Sequence, residues 1–418
     1  MPDNKTFKII TLGCKVNQYE SDVMRAVCIG AGYAHADGER AADLVVVNTC
    51  AVTARAAAKS RRAVRAALRY SPGAKIIAAG CAVEADRAAF EKLGVGVCLL
   101  EQSRKEAFPQ LLGMDDAYLP APERTRAFLK VQDGCDRFCS YCIIPYVRKL
   151  LWSKPAGRAI AEAEYLASLG HREIVLTGVR LGMYDGGAGV DLGALLGRLD
   201  GLRGPERIRL SSLEPWEVGP GLLEAAAASE KFCRHLHIPL QSGDDGILRA
   251  MNRPYTSGEF LAIIRNAGRV LPGVAITTDV IVGYPGESDV QFENTLRVCR
   301  EARFSKIHVF PYSPRPGTAA AAQCRPGGAD VEKRLGRVRA LEEELGLSFR
   351  QGLVGGNVEV LIENNCAPPT GLSCGTSREY VKVFIERERA GANSIVNARV
   401  IRADARHAYA KIVYDSKA

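Results

Sequence analysis

No apolar run in the 418 residues approaches the ~18 that a membrane-spanning helix needs. The opening stretch, MPDNKTFKIITLGC, lacks the basic segment, apolar core and small-residue cleavage site of a signal peptide. Both absences point to a cytoplasmic chain with no membrane partner. Compositional bias is missing too: hydrophobic residues make up 47% and charged residues 25%, which excludes a disordered, collagenous or coiled-coil chain. The 13 cysteines are an odd number without an export signal, so the sequence predicts metal or catalytic use for them and no disulfide framework. At ~150 residues per domain the length allows two or three domains and excludes a single-module binder. Lysine and arginine exceed aspartate and glutamate by nine, which favours a polyanionic partner.

Three architectures follow one another. Phe7 to Leu12, Leu44 to Thr49 and Lys75 to Ala79 are β-branched runs separated by Ala/Arg-rich helical stretches, and they predict an open parallel α/β sheet over 5–118. Pro109, Pro120 and Pro122 mark the linker behind it. Six further runs, AFLKVQ, EIVLTG, RIRLSS, HLHIPL, AITTDVIVG and KIHVFPY, recur with helices between them. They predict a partial (β/α) barrel over 121–350, ending in a helix from Val331 to Arg350, with its chemistry at the C-terminal ends of the strands. Past Gly352, the runs NVEVLIE, YVKVFIE, SIVNARVIRA and HAYAKIVY predict a small all-β barrel over 351–415. The fold class is therefore α/β with a terminal all-β module.

The densest chemical signal is DGCDRFCSYC, where Cys135, Cys139 and Cys142 form CxxxCxxC in the loop after the first barrel strand. Three thiolates can hold three irons of a 4Fe-4S cube and leave the fourth open to a substrate. Structural zinc sites are closed by four ligands, and no histidine or fourth cysteine lies nearby. A second set is spread along the chain: Cys14, Cys50 and Cys81 stand at or just past the ends of the three N-terminal strands, in TLGC, VNTC and AAGC. Ligands gather outside the carboxyl ends of such sheets, so these thiols can converge on a second cluster. Cys28, Cys98, Cys233, Cys299, Cys324, Cys366 and Cys374 carry no such pattern and read as small buried or loop residues.

The CxxxCxxC loop, with Tyr141 before its third cysteine, resembles that of the radical S-adenosylmethionine (SAM) superfamily. Two three-cysteine sets and a terminal β-barrel together resemble its methylthiotransferase family. GCKVNQYES, RIRLSSLEP, HLHIPLQSG, TTDVIVGYPGE and FPYSPRPGT are most similar to the bacterial branch acting on tRNA threonylcarbamoyladenosine. The resemblance implies an enzyme with two 4Fe-4S clusters and SAM, and a terminal TRAM domain that grips RNA. Its reaction is sulfur insertion and methylation at C2 of a modified adenine beside the tRNA anticodon. A sulfur source and an electron donor such as flavodoxin or ferredoxin are implied as partners. Isopentenyladenosine in tRNA and a ribosomal-protein aspartate are the alternative substrates. An iron-sulfur electron carrier or an RNA-binding scaffold is the alternative of another class. After IPYVR the chain departs from the family, with Lys149, Leu150, Leu151 and Trp152 in place of a Gly and an Arg/Ser-rich turn.

Gly178, Glu214, Gln241 and Asp279 lie at or just past predicted strand ends, where they can meet a cofactor's ribose or carboxylate or serve only as rim hydrogen bonds. Gly283, opening GYPGE, fits a close backbone approach to a ligand as well as a plain turn, and the resemblance favours a SAM-lining loop. His235 and His237 point one way from a strand and read as packing residues. Arg55, Lys59, Arg62, Arg65 and Arg69 recur at helical spacing with no acidic residue from Thr53 to Tyr70. Such a stripe is either a solvated face or a surface that contacts RNA phosphates, with the terminal β-barrel and the loop around Arg148 as the fallback contacts.

Overall fold

The computed structural model describes residues 5–36, 41–94, 96–115, 118–324, 327–364, 372–385 and 390–414. Cys366 lies outside them. The chain forms two compact units, one of residues 1–123, 132–152 and 313–322, the other of 124–131, 153–312 and 323–418.

The first unit is built on a five-stranded parallel sheet. Its strands are β1 (Thr6–Thr11), β2 (Ala34–His35), β3 (Leu44–Thr49), β4 (Lys75–Gly80) and β5 (Val97–Glu101), in the order β2-β1-β3-β4-β5. β3 reads LVVVNT and is buried at every position. Val45 and Val47 pack into one apolar cluster and Leu44 and Val46 into another, so both faces of the strand are covered, as continuous apolar runs in parallel sheets require. Helix α1 (Lys15–Gly30) follows β1 and α2 (Ala54–Tyr70) follows β3. The α2 start is fixed by Thr53, whose hydroxyl accepts from the Ala56 N–H at 3.0 Å. The sequence reading missed β2 and β5, the latter short and with only Leu100 fully buried.

The second unit carries six parallel strands: β6 (Arg126–Lys130), β7 (Glu173–Thr177), β8 (Arg207–Leu210), β9 (His235–His237), β10 (Ala275–Val282) and β11 (Lys306–Pro311). They form two three-stranded sheets, β8-β7-β6 and β9-β10-β11. Single bridges from Ile208 to Phe232 and from Ser212 to His237 join them. Ala127, Leu129, Ile174, Leu176, Ile208, Leu210, Leu236 and Ile276 face the surrounding helices in one core cluster. Alternation sends Glu173, Arg207, Arg209, His235, His237 and Thr277 to the opposite face. Helix α3 (Gly328–Gln351) packs along β11.

The chain then closes a small five-stranded barrel of β12 (Asn357–Ile362), β13 (Ser373–Ser377), β14 (Lys382–Ile385), β15 (Ile395–Ala403) and β16 (Ala408–Ile412). β13 reads SCGTS and has no strand signature in sequence. It contains Cys374, which is buried and disulfide-bonded, where a loop thiol was expected. The turn after β13 caps one end of the six-stranded layer. Arg207 donates to the Thr376 carbonyl at 3.1 Å, and Arg209 to those of Ser377 and Arg378 at 3.1 and 3.0 Å. Tyr380 stacks on His235 with ring centroids 4.5 Å apart. Beneath them Glu173, fully buried, pairs with Arg209 at 2.7 Å and Arg207 at 2.8 Å.

Candidate functional site

Cys50 and Cys81 directly follow β3 and β4, and Cys14 stands three residues past β1. Cys50 and Cys81 are buried while Cys14 is exposed. Gly13 has φ +101°, and a Cβ built there would stand 2.7 Å from the Cys50 sulfur, so only glycine lets the Cys14 loop lie against Cys50. Burial pushes the Cys50 thiol up to about 11, with Cys14 and Cys81 adding to the rise. Burial raises Cys81 as well, against the pull of Arg148 and Lys105.

The polar residues of GCKVNQYES hold these strand ends in register. Asn17 donates to the carbonyls of Leu12 and Thr49, each at 2.8 Å, and Asn48 donates to the Asn17 carbonyl at 2.8 Å and to Ser21 at 2.9 Å. Buried Lys105 closes the set, donating to Glu20 at 2.5 Å and to Asn48 at 2.8 Å. Buried polar groups of this kind hold a unique arrangement when all are satisfied. Here they fix where the three cysteines stand.

The CxxxCxxC loop belongs to the same unit. Gly134 has φ +80°, and a Cβ there would come within 2.1 Å of the Leu150 carbonyl oxygen, so the turn into Cys135 passes under the Leu150 backbone. Cys139 is buried and Cys135 and Cys142 are half-buried. The Arg137 N–H donates to the Cys135 sulfur at 3.4 Å, a contact of the kind that tunes a cluster ligand. Phe138 and Tyr146 meet edge to face at 5.3 Å on the exposed side of the loop. Leu150, Leu151 and Trp152, in the stretch that departs from the family, are exposed as well.

Arg148 joins the two sets, a role that sequence reading missed. Its Nε–H donates to the Cys81 sulfur at 3.2 Å, Nη1 donates to Glu20 at 2.9 Å and Asp133 at 2.8 Å, and Nη2 to Asn17 at 2.8 Å. It is 4% exposed, so its charge is turned to these partners and not to the surface. Arg315, from FPYSPRPGT, joins Arg148 and Lys105 as a buried cation of this unit; burial lowers its pKa and Cys50 opposes that shift. A buried arginine gives no sequence signal apart from its place beside the cysteine motif.

The donors are all sulfur in two sets of three, the chemistry that 4Fe-4S clusters take, with one iron left open in each. Among the described residues no three Cys, His or acidic side chains draw together around a single ion. A cube needs no such point, since each thiol binds a different iron. The residues present therefore fit two such clusters.

The predicted cofactor contacts other than Tyr141 lie in the second unit. Gly178 directly follows β7, and Gln241, with φ +64°, follows β9. Glu214 pairs with Arg253 through both guanidinium nitrogens, a partner the sequence did not reveal. Asp279 sits in the middle of β10, three residues short of its end, where a strand-end position was expected. Its carboxylate is 3.4 Å from His237 Nε2, and Thr277 bridges His237 and His235 at 2.9 Å each. Gly283 follows β10 and donates its N–H to Glu287 at 2.8 Å; Arg334 pins Glu287 at 2.7 Å. Tyr141 is half-buried in the first unit. All five of Arg55, Lys59, Arg62, Arg65 and Arg69 are exposed along α2, whose buried face is Ala57, Ser60, Val64 and Ala67.

Residues 6–100 match the model of uncharacterized protein family UPF0004, and residues 129–299 that of the radical SAM superfamily. The chain is 37% identical to the threonylcarbamoyladenosine tRNA methylthiotransferase MtaB of Chlamydia pneumoniae, over 96% of each chain. This chain belongs to the radical SAM methylthiotransferase family. Within the family, a tRNA-2-methylthio-N(6)-dimethylallyladenosine synthase of Frankia casuarinae is 34% identical over 94% of this chain and 78% of its own. The solved radical SAM methyltransferase TsrM from Kitasatospora setae has a TM-score of 0.54 over 76% of this chain and 75% of that one, at 14% identity, which shows the fold alone. Membership implies a SAM-dependent enzyme carrying a 4Fe-4S cluster. Among the described residues no helix is long and apolar enough to cross a membrane.

Proposed function

We propose that this methylthiotransferase converts N6-threonylcarbamoyladenosine beside the tRNA anticodon to its 2-methylthio derivative. The observation that carries the reading is the pair of three-cysteine sets in one unit, joined through Arg148. The substrate rests on full-length similarity to threonylcarbamoyladenosine enzymes and on GCKVNQYES, whose Asn17, Glu20 and Ser21 order the strand ends. Cys135, Cys139 and Cys142 hold the cluster that binds SAM, and Cys14, Cys50 and Cys81 hold a second one. When bound, these groups supply the 5′-deoxyadenosyl radical, the methyl group and the inserted sulfur.

The chain's own residues bind and orient. Gly178, Gln241, Asp279 and Gly283 are the SAM contacts we assign in the second unit, and Tyr141 is the one we assign in the CxxxCxxC loop. Glu214 contributes through a carboxylate that Arg253 holds in one orientation. The exposed cations of α2 meet tRNA phosphates, which positions RNA without reading its sequence. The small C-terminal barrel acts as a TRAM domain, and the limits 5–118, 121–350 and 351–415 divide cluster domain, radical SAM core and RNA grip. The enzyme works in the cytoplasm and draws on a sulfur source and an electron donor of the flavodoxin or ferredoxin kind.

Mass spectrometry of tRNA nucleosides tests this, in a host lacking the modification and complemented with this chain. The 2-methylthio derivative of threonylcarbamoyladenosine is expected with the wild type and absent with Cys139→Ala or Cys50→Ala. In the purified protein Cys50→Ala should still cleave SAM, whereas Cys139→Ala should not. A methylthio mark on isopentenyladenosine instead would move the substrate, and no mark on any tRNA would overturn the reading.

A further inference from the structure

Arg148 is held by six side-chain acceptor atoms on four residues, drawn from three segments of the first unit. Glu20 and Asn17 come from α1, Cys81 from the end of β4, and Asp133 from the approach to the CxxxCxxC loop. Arg148 itself stands six residues past Cys142, at the end of the short helix Ile144–Val147. The loop bearing one cysteine set is thus clamped at both of its ends, by Asp133 before it and Arg148 behind it, and the clamp closes on a cysteine of the other set.

An arginine offers five N–H donors in a rigid fork and stays charged. Here one edge of the fork is spent on carboxylates and an amide, and the Nε–H alone points at sulfur. A guanidinium that served only to pair with Glu20 and Asp133 has no need to donate to Cys81. An N–H donated to a cluster-ligating sulfur stabilises the more negative, reduced state and raises its potential.

We propose that Arg148 is a positioning residue that ties the CxxxCxxC loop to Cys81 and, through the Nε–H to Cys81 hydrogen bond, raises the reduction potential of a cluster held by Cys14, Cys50 and Cys81. This rests on the assignment of a cluster to that second set, and deepens it. The consequence is an ordering of the two sites. The cluster on the second set accepts an electron more readily than it would without Arg148, and Arg148 lies on the covalent segment that leads out of the other set.

The test uses the full chain carrying Cys135→Ala, Cys139→Ala and Cys142→Ala, reconstituted anaerobically so that only the second set can hold a cluster. Iron is counted first, and the potential is then read by titration followed by electron paramagnetic resonance. Adding Arg148→Gln should reduce the reduced-to-oxidised ratio at a fixed potential about tenfold, or ~59 mV for one electron. Arg148→Lys, which keeps the charge and one donor, should fall between. A second measurement leaves Arg148 in place: with 15N-arginine incorporated, pulsed resonance of the reduced cluster should show coupling to an arginine nitrogen.

An unchanged potential in Arg148→Gln at full iron content would overturn the proposal and leave Arg148 a structural clamp. If the variant does not fold, absence of the nitrogen coupling in the labelled parent would overturn it equally. No iron in the triple cysteine variant would overturn the cluster assignment together with the proposal, and the iron count tells that failure from the other two.

Discussion

Gly13 lies so close to Cys50 that an added Cβ would stand 2.7 Å from the Cys50 sulfur, and its φ of +101° is one that other residues rarely adopt. Two independent penalties therefore fall on any side chain at this position. Gly13→Ala is expected to cost about 1–3 kcal/mol from backbone strain alone. It should also displace the Cys14 loop, so that iron bound through Cys14, Cys50 and Cys81 falls while iron at the CxxxCxxC loop stays. Iron content with and without Cys135→Ala, Cys139→Ala and Cys142→Ala measures the two separately. Full iron in both would show that the loop reaches its place without glycine.

Glu173 is fully buried beneath Arg207 and Arg209. Burial pushes its carboxyl up, but the guanidiniums of Arg209, Arg207 and Arg126 together pull it down to about 2. A folded-state pKa below the unfolded one contributes stability that is complete above the ordinary glutamate range, and is lost as pH falls from about 4.5 towards about 2. Glu173→Gln leaves two buried arginines without their carboxylate and should cost about 3–5 kcal/mol at neutral pH. Urea unfolding at pH 7 and near pH 3 reads the difference, which should shrink at the lower pH. A gap that stays constant would contradict the account.

The stripe on α2 bears no structural burden, since all five cations are exposed and the helix packs through Ala57, Ser60, Val64 and Ala67. Arg55→Gln, Arg62→Gln and Arg69→Gln together should leave the melting temperature unchanged. tRNA binding should weaken and its salt dependence flatten by roughly 0.7–0.9 in slope per phosphate contact removed. A wild-type slope would mark the stripe as a solvated face.

Much of the architecture was legible because burial on both faces writes itself as β-branched runs. LVVVNT, EIVLTG and AITTDVIVG could hardly be anything but inner strands. β13 was not legible, because Ser373 to Ser377 is a turn-like composition that becomes a strand only by pairing with β12 and β14. RIRLSS reads as a barrel strand, but nothing local announces that Glu173 and the small barrel will receive its Arg207 and Arg209. The partners of Arg148 were illegible for the same reason: Glu20, Asn17 and Cys81 come from far along the chain. Asp279 was placed at a strand end although the run AITTDVIVG itself continues past it, as β10 does to Val282.

The central claim is that two sets of three thiols each hold a 4Fe-4S cluster, and iron and acid-labile sulfide per folded chain test it most directly. After anaerobic reconstitution the account predicts about eight of each, two full cubes, falling to about four when Cys14, Cys50 and Cys81 are replaced by Ala. A value of about four in the wild type, unchanged by those three substitutions, would contradict it.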